Sequence, residues 1–129
     1  MSTRCTVHFH YMDREDPDAI VYRHGDGYPE GVLPDLGEFF RAVQDQTRDT
    51  RFDDPSYLAA KFVVWQAGRY AGRYNPKIGE WEKTEPLDFL SVGVLLKDPG
   101  DIEYRYHVHC GQYAADDTPI ITWEKVPFE

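Results

Sequence analysis

Ile102-Glu103-Tyr104-Arg105-Tyr106-His107-Val108-His109-Cys110 alternates apolar or aromatic residues with polar ones at every step. Successive side chains on a strand point to opposite faces. Ile102, Tyr104, Tyr106, Val108 and Cys110 therefore share an inward face, and Glu103, Arg105, His107 and His109 share the other. The opening residues 5–11 repeat the pattern: Cys5, Val7, Phe9 and Tyr11 on one side, Thr6, His8, His10 and Met12 on the other. Two such segments at opposite ends of a chain predict a sheet with one greasy and one polar face.

Working outward, Asp13-Arg14-Glu15-Asp16-Pro17-Asp18 reads as a turn into a second strand over 19–24, built on Ile20, Val21 and Tyr22. Residues 87–96 are the most hydrophobic run. Leu90, Val92, Val94 and Leu96 alternate with Phe89, Ser91, Gly93 and Leu95, and because both faces tolerate burial the pattern predicts a central strand. Asp98-Pro99-Gly100-Asp101 is a strong turn signal before the 102–110 strand, and 119–126 supplies a last strand.

Between the second and third strands lie two helical patterns. Leu33, Leu36, Phe40 and Val43 recur at helical spacing, with Pro34 suited to a first turn. Asp54-Pro55 is an N-cap followed by proline, and starts a helix over 56–67 carrying Leu58, Phe62 and Trp65, to be ended by Gly68 or Gly72. Residues 69–86 read as an irregular excursion or a short hairpin around Asn75-Pro76. The order β-β-α-α-β-β-β, with no βαβ alternation, predicts a single α+β domain over 1–129: an antiparallel sheet of about five strands with two helices on one face.

The chain has 129 residues, with 23 acids against 14 bases and a net charge of −9. That charge argues against direct binding of nucleic-acid backbones or anionic membranes. No apolar run is long enough to span a bilayer, and the acids at 13–16 come too early for a signal peptide. Two cysteines make no disulfide scaffold, so a reducing, cytoplasmic setting is expected.

Four of the five histidines form two His-x-His pairs, His8/His10 and His107/His109. If their strands are neighbours, four imidazoles gather on one face, a donor set that suits Zn²⁺, Ni²⁺ or Fe²⁺, with Glu103 or Glu124 as an oxygen ligand. Against this, Arg105 shares their row, and a guanidinium beside a dication is unfavourable unless a carboxylate intervenes. Ordinary cross-strand charge pairing would also explain the row. A divalent transition metal is thus the one cofactor the sequence raises, and none is the plainer expectation. Alternation leaves strand order open, and strand order decides whether the pairs meet. Cys5 and Cys110 read as buried thiols acting as small hydrophobes.

The segment His24-Gly25-Asp26-Gly27-Tyr28-Pro29-Glu30-Gly31 is a loop leading into a helix. It is not a phosphate loop, because Asp26 and Glu30 are acidic and no Lys-Ser/Thr follows. His24, Asp26, Tyr28 and Glu30 make a polar cluster able to meet a protein or a small ligand, and a ligand module would show a concave pocket beside them. Over residues 19–46 the chain resembles small uncharacterised phage and prokaryotic proteins with a His-x-Asp-Gly-Tyr-Pro-x-Gly loop. The resemblance implies a phage or mobile-element setting and brings no catalytic residues. The acids concentrate in connections at 13–18, 49–54, 80–88, 98–103 and 116–117. Gathered on one rim, they would engage a basic surface of a host protein. The leading expectation is a protein that works by binding a protein partner; the rival is a metal binder or metal-dependent enzyme using the four histidines.

Overall fold

Both alternating segments are strands, and they lie side by side. In the computed structural model, which describes residues 3–88 and 90–127, the order is β1 (Cys5–Tyr11), β2 (Ala19–Arg23), α1 (Pro29–Gln46), α2 (Pro55–Tyr70), β3 (Gly72–Asn75), β4 (Glu80–Lys83), β5 (Val92–Leu95), β6 (Tyr104–Tyr113) and β7 (Pro119–Lys125). Five strands form one sheet in the order β5-β2-β1-β6-β7, while β3 and β4 make a separate two-stranded hairpin. The α+β class with two helices holds.

An all-antiparallel sheet does not hold. β1 pairs β6 in parallel, and the other ladders are antiparallel. The cause is the connection after β5. Asp98-Pro99-Gly100-Asp101 looks like a hairpin turn, but β5 and β6 are separated by β2 and β1. The segment 96–103 therefore crosses the sheet, and Asp98 arrives beside His8 and Arg105 on the polar face.

The expected central strand over 87–96 is also corrected. β5 is four residues long and lies at the sheet edge, with Val94 70% exposed. An apolar run this short does not distinguish centre from edge; the middle strand of the five is β1. Phe89, part of that expected strand, lies outside the described residues.

The helices cover the Cys5, Val7, Phe9 face. Val32, Leu36, Phe39, Phe40 and Val43 of α1 and Leu58 and Phe62 of α2 are buried, with Leu33 and Trp65 packed at the margin. Phe62 is the hub, its ring 5.9 Å from Phe9 and 5.1 Å from Phe39. Burying a side chain of that size contributes roughly 1.5–3 kcal/mol. α2 starts as its sequence predicts, the Asp54 side chain accepting from Tyr57 N. α1 starts five residues earlier than Pro34 suggests, because Pro29 occupies the first helical position and Pro34 lies inside the helix.

The glycine loop is shaped by contact with β1. Gly27 N donates to Thr3 O at 2.9 Å, and the buried Tyr106 hydroxyl donates to Gly27 O at 2.6 Å. A Cβ on Gly27 would stand 2.7 Å from Thr3 O and 2.9 Å from Cys5 Cβ, whereas one on Gly25 would meet nothing within 4 Å. Gly27→Ala is therefore expected to cost about 1–3 kcal/mol by overpacking, and Gly25→Ala to be near neutral. Chemical denaturation of both variants checks the contrast.

Candidate metal centre

The β1–β6 register pairs His8 with His107 and His10 with His109, so the two His-x-His motifs stand side by side. All four lie on the face away from the helices. His8 and His10 are nonetheless buried, at 5% and 3% exposure, while His107 and His109 are half-buried. The crossing segment with Asp98 accounts for part of that cover.

Three of the four converge. His8, His10 and His107 each offer a ring nitrogen, and these lie within 4.8 Å of one another. His10 Nε2 and His107 Nδ1 share a hydrogen bond of 2.7 Å. His8 Nε2 meets Thr6 Oγ1 at 2.9 Å and Asp98 Oδ2 at 3.5 Å. His10 Nδ1 is buried and makes no close hydrogen bond among the described residues, with the backbone of Arg14 and Asp16 nearby. The cluster could hold a metal ion: two nitrogens on one tetrahedral zinc stand about 3.3 Å apart, so His8, His10 and His107 would need only modest ring movements to hold one.

His109 is not in that group, although the sequence pairs it with His107. Its Nδ1 lies 3.2 Å from Met12 O and its Nε2 2.9 Å from Thr122 Oγ1. A carbonyl only accepts, so Nδ1 carries the proton and Nε2 accepts from the threonine. Met12 sits in the left-handed region at φ 57, which orients that carbonyl. His109 thus stacks against His10, its ring centroid 5.4 Å away, with both nitrogens engaged.

Of the two proposed oxygen ligands, Glu124 is near: its Oε2 is 3.8 Å from His107 Nε2. Glu103 is not. It accepts from Arg4 N at 2.7 Å and pairs with the Arg4 guanidinium. The Arg105 obstacle is resolved by carboxylates on both sides, since Arg105 is bonded to Asp98 and to Glu124. Asp98, brought in by a crossover whose path no local signal announces, is the residue that sequence reasoning missed here.

The electrostatics favour neutral imidazoles. Burial, reinforced by the neighbouring His107, pushes His8 down to about 4 from the ordinary 6.5. Burial lowers His10 and His107 as well, with the charge of nearby histidines acting in the same direction. Neutral imidazole is the form that binds metal.

The other candidates lie elsewhere. Cys5 and Cys110 are both buried, but the parallel register sets Cys5 against Tyr104 and Cys110 against Tyr11, so they are not neighbours. Burial pushes both thiols up to about 12, as suits inert core residues. In the glycine loop, Tyr28 OH donates to Asp26 Oδ1 and His24 Nδ1 bonds the Tyr22 hydroxyl. His24, Asp26 and Tyr28 line a cleft of about 1020 Å³, so the pocket expected beside them is present; Glu30 stands exposed in the first turn of α1, outside that lining. The acids of 98–103 pair with arginines, Asp98 with Arg105 and Asp101 and Glu103 with Arg4, and the Asp101 side chain stays exposed. Among the described residues, no helix is long and apolar enough to cross a membrane. No protein-family model, curated protein or solved structure matches the chain.

The lowered histidine values fix a pH response. Unfolded imidazoles titrate near 6.5 and folded His8 near 4, so between these values the unfolded state holds more protons and acid favours it. The stabilising contribution is complete above about pH 6.5 and is lost as the pH falls toward 4. The thermal midpoint of metal-free protein is expected to decline across that window. In His8→Gln the decline should be shallower, which scanning calorimetry at stepped pH will read.

Proposed function

We propose that this protein binds a divalent transition-metal ion through His8, His10 and His107. The observation that carries the reading is the convergence of three imidazole nitrogens from two adjacent strands, two of those rings buried. A three-histidine set suits zinc, nickel or ferrous iron, and three protein ligands leave a fourth position for water or a small ligand. Asp98 and Glu124 flank the set and offset positive charge at the site, which lets Arg105 stay beside an ion. Arg105 in turn keeps both carboxylates in place.

The acidic-surface reading stands second. The net charge of −9 still favours a basic partner over a nucleic acid, but three of the acids offered for it are engaged by Arg4 and Arg105. Recovery of one protein from a host lysate, at low and moderate salt, would revive it.

Protein purified without a histidine tag is expected to take up one Zn²⁺ or Ni²⁺ per chain, read by calorimetry and elemental analysis. At a free-ion concentration a hundredfold above Kd the gain in stability should be about 2.7 kcal/mol. His107→Ala, at a half-buried position, should lower the affinity by roughly a hundredfold or more, since even loss of an outer-shell partner costs 10–100-fold. His109→Ala should leave the stoichiometry unchanged. Absence of stoichiometric uptake together with absence of a thermal shift would dismiss the proposal.

A further inference from the structure

The cleft beside the glycine loop is built at the opposite edge of β2 from the histidines, between the end of α2, the β3–β4 hairpin and the start of β5. Its volume, about 1020 Å³, lies at the upper end of the range for small-molecule sites.

Its floor is a buried polar network. Arg23 donates through Nε to Gly25 O at 2.9 Å and through a terminal nitrogen to Asp35 Oδ2 at 2.7 Å. The Tyr70 hydroxyl lies 2.8 Å from both Asp35 oxygens and donates to that carboxylate. The same Arg23 nitrogen approaches Gln66 Oε1 at 3.4 Å. Arginine only donates, so the oxygen of the Gln66 amide must face it and the amide nitrogen faces away. That nitrogen, Gln66 Nε2, is buried in a residue with no exposed surface and has no partner. Leaving such a donor unmet is costly. The floor therefore asks for an acceptor.

The walls are aromatic. Tyr22, Tyr28 and Tyr70 line the cleft, and Trp81 of the hairpin stands over it 72% exposed. Trp81 meets Tyr74 in a T-shaped contact and is otherwise largely exposed, which leaves at least one face of its ring available for stacking. The charges nearly cancel. Arg23 is paired with Asp35 and Arg69 with Glu38, while Lys83 is set against Asp26 and Glu82 on the lining. No cationic cradle for a phosphate is present among these residues.

From the unpaired buried donor, the aromatic walls and the balanced charge, we infer that this cleft binds an uncharged planar heteroaromatic ligand of the nucleobase class. Gln66 belongs to the lining, and a small rotation of its side chain that brings Nε2 to the cleft surface lets it donate to a ring carbonyl or ring nitrogen, while the ring stacks against Trp81. Base–aromatic stacking tolerates any base because each has a π-face. The site is independent of the metal centre, none of whose residues lines it.

Calorimetric titration with guanosine, uridine, adenosine and cytidine tests the inference, each run beside its 5′-monophosphate. At least one nucleoside is expected to bind with a sub-millimolar Kd, and its monophosphate no more tightly. Gln66→Leu should weaken binding roughly tenfold, the loss of one hydrogen bond near 1.4 kcal/mol. Trp81→Ala, on an exposed hairpin position remote from the core, should weaken it comparably while the fold stays intact. His107→Ala should bind as the parent does. Failure of all four nucleosides to bind overturns the inference. So does binding that neither variant weakens, or binding in which the monophosphate is strongly preferred. If Gln66→Leu does not fold, Trp81→Ala alone decides.

Discussion

The parallel ladder between β1 and β6 makes His8 the Cα partner of His107 and His10 that of His109. Every later property of the polar face follows from this register. A slip of one residue would exchange faces along the whole strand, carrying imidazoles under the helices and Phe9 and Val108 out of the core. The apolar side forbids that slip, because Val7, Phe9, Tyr106 and Val108 are fully buried there. The greasy face thus sets the alignment of the polar one. The histidines need supply none of the energy that aligns them.

That division explains what was legible. Period-two alternation located β1, β2, β6 and β7 and assigned all four histidines to the right face, since burial on one side of a strand writes itself into sequence. Asp54-Pro55 marked the start of α2 because capping is a local interaction. Strand order is not local. A crossover and a hairpin can use the same Asp-Pro-Gly turn, so the parallel pair and the arrival of Asp98 at His8 were not readable from residues 98–101. The edge position of β5 was hidden for the same reason.

The buried network of Arg23, Asp35, Gln66 and Tyr70 was missed differently, for its signals were present. Alternation from Ala19 through Val21 puts Arg23 on the core face, and Asp35 falls on the same stripe as Val32 and Leu36. A cation and a carboxylate each predicted inside imply one another, since neither is stable there alone. Charged residues read as surface by habit concealed a pair that periodicity would have buried. Gln66 completes the network, yet its amide has two donors and an acceptor, and only the acceptor is used inside the protein.

The same reasoning bears on the histidines. A sheet face needing only to be covered would be served by threonine, valine or isoleucine, which favour strands and carry little desolvation cost. This face instead buries two imidazoles and half-buries two more, and burial depresses the titration of His8 because a charge is unwelcome there. Ordinary hydrogen bonding accounts for His109, whose two nitrogens are both engaged. It accounts less fully for His10, which shares one nitrogen with His107 and keeps the other buried with no close hydrogen bond among the described residues, although the backbone of Arg14 and Asp16 is near enough to favour its protonated form. An ion that drew His8, His10 and His107 together would offset the desolvation that makes their burial costly. The proposed metal would therefore give a physical reason for the cluster that packing alone does not supply.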